Sequence, residues 1–363
     1  MRFNKKNRKA RKKRKRRSAR RNSAYGMLLL VVCSSLLFLY NVFHLQPADD
    51  WFEGKASDPS KIKLPEDDAP HQTQVEWWYY NGLLISESGK QFSFHDTVFL
   101  VNSMQNHVVS HISVNDHQTG KHFTDQYRAA GYSAISTEKR FEFKHNGWLM
   151  SGSDGRDRLK VTSKDFAFNF ELSSTQPTVL HGNNGIISLG SFGSSYYYSR
   201  TRMAITGTVR IGTSTQNVKG VGWYDHQWGD FSVGQLAWDW FSLQLDKNID
   251  VMVYQLRDKS GQPVLYTASV TQNGTTEVLQ NREFTLTPGE KWRSPRSGIE
   301  YPLKWVIDIP KKKIKITVRS IIDDSEFDAQ LTTYNNYWEG PVTIQGTHSG
   351  HGFMELSGYV AAN

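Results

Sequence analysis

Apolar and polar residues alternate with a period of two over most of the chain beyond residue 74. Phe166, Phe168, Phe170 and Leu172 are separated by more polar neighbours; Phe141 and Phe143, then Trp305, Ile307 and Ile309, then Ile314, Ile316 and Val318 repeat the pattern. This period, rich in aromatic and β-branched residues, predicts half-buried strands. Between the runs stand Glu87-Ser88-Gly89-Lys90, Asp154-Gly155, Asp258-Lys259-Ser260-Gly261 and Asn273-Gly274, which read as hairpin turns. No sustained helical period follows residue 74, so an all-β body is expected.

The pattern upstream is different. Residues 24–45 form one apolar run from Ala24 to Leu45, about 33 Å long as a helix and so long enough to span a bilayer core. Before it, residues 1–23 carry 14 Lys or Arg and no acid, and the next Lys is Lys55. The positive-inside rule makes residues 1–23 a basic cytoplasmic segment and residues 24–45 a transmembrane signal anchor, with the body on the periplasmic side of the inner membrane. No small-x-small pair follows the run, so the anchor is expected to stay uncleaved. Residues 46–71, punctuated by Pro47, Pro59, Pro65 and Pro70, read as a linker.

Charge follows the same division. Removing the leader's 14 basic residues from the total of 44 leaves 30 against 35 acidic ones, so the remainder carries −5 although the whole chain carries +9. A mildly acidic body offers no basic groove for nucleic acid. The leader is expected to lie on anionic inner-membrane lipids, at about 1 kcal/mol per Lys or Arg. Cys33, the single cysteine, falls in the apolar run, so the body has no disulfide, thiolate-bound zinc or cysteine nucleophile.

A faint echo divides the body. Glu76-Trp77-Trp78-Tyr79-Tyr80-Asn81-Gly82-Leu83-Leu84 opens one series of strands, and Trp238-Asp239-Trp240-Phe241-Ser242-Leu243-Gln244-Leu245 opens another. Each is followed by a polar turn and an apolar strand. Two similar β domains in tandem produce this pattern, with boundaries at 72–233 and 234–363 and the join near Phe231 to Leu236.

The chemistry is concentrated around that join. Gly222-Trp223-Tyr224-Asp225-His226-Gln227-Trp228-Gly229 sets a carboxylate beside an imidazole among aromatic rings. An acid and a base in an aromatic wall can move a proton where water is excluded; a buried structural Asp-His pair fits the same residues. Adjacent residues on a strand face opposite ways. His226 is therefore expected in a cavity and Asp225 at a turn. Glu76 is a further candidate acid, with an ion pair to Arg200 or Arg202 as its alternative role.

Together with Gln74-Val75-Glu76-Trp77-Trp78-Tyr79-Tyr80, Ser195-Tyr196-Tyr197-Tyr198-Ser199 and Tyr337-Trp338-Glu339-Gly340, the motifs around Asp225 and Trp238 resemble those of the AttH and carotenoid 1,2-hydratase family. The resemblance runs from about residue 72 to the C-terminus. It implies two tandem lipocalin-like β-barrel domains. It also implies a role for His226 and Trp228, which match the His-x-Trp of the hydratases. Those enzymes carry a Tyr and an Asp two residues apart on a later strand; here Tyr254 is present and Leu256 takes the place of the Asp. Asp225, His226 and Tyr254 are thus the catalytic candidates. Glu76, Trp78, Tyr80, Tyr197, Trp223, Trp228, Trp238, Trp240 and Trp338 are the candidate lining of a lipophile site.

Neither a cofactor nor a metal is expected. His107 and His111 lie on strand-like sequence, and His348, His351 and Glu355 read as a solvated turn. Gly190-Ser191-Phe192-Gly193-Ser194 does not make a hydrolase elbow, since no helix follows it. Two functions remain open: an anchored carrier of a lipid or isoprenoid-like molecule, and an enzyme of the hydratase or secreted-hydrolase class acting on one. The anchor is tested first by fractionation. The intact chain should stay in the inner membrane with its body digested by protease only from the periplasmic side; a shortened soluble form beginning after residue 45 would contradict it.

Overall fold

The structure, a computed structural model, describes residues 57, 58, 60–102, 106–131, 139–231, 234 and 236–361. The basic leader, the expected anchor and most of the linker lie outside the described residues. From Val75 onward the chain forms two large antiparallel sheets and one small ribbon, and helix is confined to three-residue 3₁₀ turns among the described residues.

The first sheet begins with a meander of β1 (Val75–Ser86), β2 (Gln91–Val101), β3 (His107–Asp116) and β4 (Lys121–Ala130). It continues through β5 (Phe141–His145), β6 (Trp148–Ser153), β7 (Arg156–Thr162) and β8 (Phe166–Ser174). The short β9 (Val179–Leu180) and β10 (Ile186–Ser188) precede the long β11 (Ser194–Ile211) and β12 (Ser214–Gly229). The second sheet opens with β13 (Leu236–Leu245), β14 (Ile249–Asp258), β15 (Pro263–Gln272) and β16 (Thr275–Gln280). After β17 (Thr285–Pro288) come the separate two-stranded ribbon, β18 (Lys291–Arg293) with β19 (Glu300–Pro302), and then β20 (Lys304–Ile309) and β21 (Ile314–Ser320). It ends with β22 (Glu326–Asp328), β23 (Asn336–Gly346) and β24 (Gly350–Ser357).

The strand orders repeat. The first sheet runs β4-β3-β2-β1-β12-β11-β8-β7-β6-β5, and the second β16-β15-β14-β13-β24-β23-β21-β20-β17. In each, a four-strand meander is joined through its first strand to the last strand of the half, which is the structural form of the echo in the sequence. All four expected hairpin turns connect consecutive strands. Each sheet curls around an apolar core in lipocalin-like fashion. The first core includes Trp78, Tyr80, Phe94, Phe141, Phe168, Phe170 and Trp228; the second includes Phe241, Leu243, Ile307, Ile316, Trp338 and Met354. Across the open side of the first sheet, Tyr127 on β4 stacks on His145 of β5, with ring centroids 5.3 Å apart.

A third apolar cluster lies between the sheets, where Tyr79, Tyr197, Trp223 and Phe231 of the first half meet Trp240, Met252, Tyr254, Leu256 and Phe353 of the second. Strands β1, β11, β12, β13, β14 and β24 thus bury both faces along the stretch that meets the other sheet. On β11 a bulge between Arg200 and Met203 changes which residues face inward. Tyr198 before it and Met203, Ile205 and Val209 after it all enter the same core. Thr201 and Arg202, at the bulge, reach the second sheet through Asp250, at 2.7 and 2.8 Å.

One expectation is corrected. The stretch read as a linker packs, in its described part, into the first half: Ile62 joins the core, and Asp67, Asp68 and His71 are buried. Its prolines and acids resemble a tether in composition, but partners distant in sequence draw it in. For the core itself, Phe168→Ala removes a ring stacked at 4.7 Å on Phe170 and should cost about 3–5 kcal/mol. A lowered urea midpoint with an unchanged slope is the expected reading.

Candidate active site

Strand alternation distributes the Trp-rich motif over two compartments. On β12, Tyr224, His226 and Trp228 point into the first core, while Trp223 points into the seam between the sheets and Asp225 bonds there. Neighbouring strands keep the same phase. Glu76, Trp78 and Tyr80 of β1 and Tyr198 and Arg200 of β11 face the core; Tyr79 and Tyr197 face the seam.

Inside the first half, Glu76 Oε1 lies 2.7 Å from both His226 Nε2 and His71 Nδ1. Its Oε2 accepts the His71 backbone N–H at 2.7 Å. Beside them Arg200 donates to both oxygens of Asp68, at 2.7 and 3.0 Å, and the Tyr198 hydroxyl donates to the same carboxylate. Burial pushes Glu76 up, but His71 and His226 outweigh it and hold its carboxyl below the usual range. Every carboxylate of this group has a cationic or imidazole partner, as low dielectric demands.

The seam is arranged differently. Across the second sheet Tyr254, Trp240, Glu355 and Glu339 stand in one row of directly paired residues. Opposite runs a row of the first sheet, Tyr79, Asp225 and Ser199. The rows touch: Tyr79 donates to Glu339, and Trp240 Nε1 donates to the Tyr197 hydroxyl at 3.0 Å. Asp225 accepts from Trp223 Nε1 at 2.6 Å, from Tyr197 at 2.7 Å and from Ser199. His181 lies 2.6 Å from Ser199 Oγ and 2.9 Å from Ser269 Oγ.

No Lys or Arg forms an ion pair with Asp225, Glu339 or Glu355 among the described residues. Removal from water raises Asp225 to about 7 despite its three donors. Glu339 is raised well above its ordinary value by burial and then by Glu355, and Glu355 is raised to about 7, chiefly by loss of solvent. Two carboxyls directly opposite on paired strands cannot both ionise cheaply, so this pair holds a proton. His95, 3.3 Å from Glu339, is kept neutral by its own burial. Asp225 and Glu339 are buried, whereas Glu355 is partly exposed, near the partly buried Trp238.

The sequence-derived candidates therefore divide. Asp225, Tyr254, Tyr197, Trp223, Trp238 and Trp240 share the seam. His226, Glu76, Trp78, Tyr80 and Trp228 share the first core. Trp338 belongs to the second core, its Nε1 donating to the Asp323 carbonyl at 2.7 Å. Asp225 caps no turn; it sits within a strand between two others. Glu76 pairs with histidines, while Arg200 takes Asp68 and Arg202 takes Asp250. Glu339 and Glu355 were not among the candidates for acid–base work. Their signal was alternation: Trp338 and Met354 mark the core face, which leaves both Glu residues on the other.

Fold and seam together define a tandem lipocalin-like protein with carboxyl groups and aromatic rings between its halves. The chain belongs to the AttH-like family, whose sequence model matches residues 55–359. Kievitone hydratase of Fusarium solani subsp. phaseoli is 25% identical over 224 residues, 57% of this chain and 61% of that protein. A dehydratase of Emericella nidulans is 24% identical over 229 residues, 59% of this chain and 65% of its own length. Both matches span less than two thirds of the relative. Among solved structures, an AttH protein of Nitrosomonas europaea superposes with a TM-score of 0.77 at 28% identity, over 84% of this chain and 99% of the other. Kievitone hydratase of Nectria haematococca shares the fold, with a TM-score of 0.67 at 18% identity over 87% and 98%.

The raised carboxyl of Glu355 has a measurable sign. Between its ordinary value of 4.5 and about 7, the folded chain keeps a proton that the unfolded chain has lost, so this group's contribution to stability falls as pH rises through that window. Buried neutral histidines such as His111 and His181, lowered to about 3, act in the opposite sense, so the comparison must be with a variant. Relative to Glu355→Gln, the parent should lose stability as pH rises from 4.5 to about 7. Paired urea titrations across that range measure it.

Proposed function

We propose that this chain is an acid–base enzyme of the hydratase–dehydratase type that adds water to, or removes it from, an apolar unsaturated substrate at the seam. The observation that carries the reading is the set Asp225, Glu339 and Glu355, held without Lys or Arg partners against Trp223, Trp240, Tyr197 and Tyr254. Structural carboxylates in such surroundings are ordinarily paired. A carboxyl kept protonated near neutrality, as in the Glu339–Glu355 pair, is suited to giving a proton to a weak base.

Glu355 is the acid in this scheme, since it alone of the three is partly exposed. It protonates one alkene carbon. Positive charge then develops on the other carbon, where the faces of Trp240 and Tyr254 stabilise it without capturing it. Water bonds to that carbon and gives its proton to Asp225, whose Trp223, Tyr197 and Ser199 donors suit the carboxylate form. A proton returning from Asp225 to Glu355 restores the start, and dehydration runs the same steps backwards. Leu256, where the resemblance implies an Asp, lies on β14 beside Trp238. In this reading Glu355, on the other side of β13, supplies the missing acid.

The kinship with a hydratase and a dehydratase favours this function over carriage alone. Attachment to the inner membrane through residues 24–45 remains part of the proposal, placing the seam beside a store of apolar substrate. Kievitone is the first compound to test, followed by apolar molecules that carry isolated carbon–carbon double bonds. Hydration in H₂¹⁸O should place the label in the product, whereas dehydration should release the substrate's own oxygen as one water and leave an unlabelled alkene. Glu355→Gln should lower kcat by roughly 10²–10⁴ with KM little changed, and kcat should fall above about pH 7. A Glu355→Gln protein as active as the parent would remove the acid from the scheme.

A further inference from the structure

On the core side of β12 a second set of side chains takes no part in that chemistry. His71, Glu76 and His226 each bring one ligand atom within 4.8 Å of the others, Glu76 Oε1 lying 2.7 Å from His71 Nδ1 and from His226 Nε2, and all three residues are buried. They come from three pieces of chain: the segment before β1, β1 itself and β12. Two imidazoles and a carboxylate converging on one point are a donor set that first-row divalent ions take, zinc among them.

Two of the outer atoms are held by hydrogen bonds, and the third, His71 Nε2, faces a carboxylate without one. Glu76 Oε2 takes the His71 backbone N–H. His71 Nε2 faces Asp67 Oδ1 at 3.5 Å. His226 Nδ1 lies 3.2 Å from the Tyr198 hydroxyl, which donates onward to Asp68. Ligand histidines need this arrangement, since a fixed outer nitrogen orients the ring and keeps the inner lone pair on the metal. Indole rings set the planes: His71 lies flat on Trp228, centroids 4.0 Å apart and 2° from parallel, and His226 lies on Trp78 at 4.4 Å.

The fit requires one adjustment. The oxygen-to-nitrogen distances of 2.7 Å are those of hydrogen bonds. Donors around a tetrahedral ion with bonds of about 2.0–2.1 Å stand roughly 3.3–3.4 Å apart. Glu76 must therefore draw back by about 0.6 Å, which rotation of its side chain supplies.

We propose that His71, Glu76 and His226 form a divalent-metal site of three protein ligands, with zinc as its ion, that fastens the segment before β1 to the two strands behind it. The site is independent of the seam, and its failure would leave the acid–base reading untouched. The test is metal analysis of the full, tag-free chain produced in zinc-supplemented medium. The expected content is about one zinc per chain, lost in His71→Ala and in His226→Gln. Glu76→Gln keeps an oxygen for the imidazoles but removes the charge; a metal site loses most of its zinc, whereas a purely hydrogen-bonded trio has none to lose. X-ray absorption at the zinc edge of the parent should show two imidazoles and needs no variant, so a misfolded substitution does not decide the matter. A folded parent with less than about a tenth of an equivalent of any first-row metal, or zinc without two imidazole ligands, would overturn the proposal.

Discussion

Where the two sheets meet, the central strands of this protein are covered on both faces. β1, β11 and β12 are covered on one side by the core of their own half and on the other by the second sheet, and β13, β14 and β24 are covered in the same way. A polar side chain on any of them gives up hydration and must be compensated within the protein. The chemistry of each compartment depends on how it meets that demand.

The two carboxylate clusters described above meet it in different ways. In the first core, Asp68 has Arg200 and Glu76 has two histidines, so negative charge is retained. In the seam no Lys or Arg pairs with Asp225, Glu339 or Glu355 among the described residues; Glu339 and Glu355 hold a proton between them, and Asp225 takes hydroxyl and indole donors. One strand, β12, contributes a residue to each solution at consecutive positions. The peptide between Asp225 and His226 separates a residue of the seam from one of the charge-paired cluster around Glu76, and the same first half also buries Asp96 and Asp157, raised by loss of solvent to about 8 and about 7.

Much of the fold was legible because alternation is a local property. Phe166 to Leu172 and Ile314 to Val318 declare their strands without reference to anything else, and the turns between strands are written in Gly, Asn and Asp. The echo between Glu76–Leu84 and Trp238–Leu245 foreshadowed the repeated strand order. The site was legible only as a collection. Residues of β1, β11, β12, β13 and β14 read as one pocket because sequence proximity does not say which face of a doubly covered sheet a side chain takes. Asp68 and His71 left no local sign, since their burial depends on Arg200 and on Glu76 and Trp228. Glu355 looked like part of a solvated turn because its neighbours Gly350 and Gly352 suggested a loop; those glycines instead allow close approach to β13, where an added Cβ would meet the Gln244 and Ser242 carbonyls at 2.3 and 2.0 Å.

The bulge on β11 acts on the alternation as an inserted base acts on a reading frame. Upstream of it the even-numbered residues Tyr196, Tyr198 and Arg200 belong to the first half's interior; downstream the odd-numbered Met203, Ile205 and Val209 do. Without the shift, the hydroxyls and charge of Thr206, Thr208 and Arg210 would fall where the apolar lining now stands. Length changes in this strand are therefore not interchangeable with length changes in a surface turn. A deletion at Thr201 or Arg202 would exchange inside for outside along the rest of β11, so descendants of this chain should vary the lettering of that pair far more freely than its length.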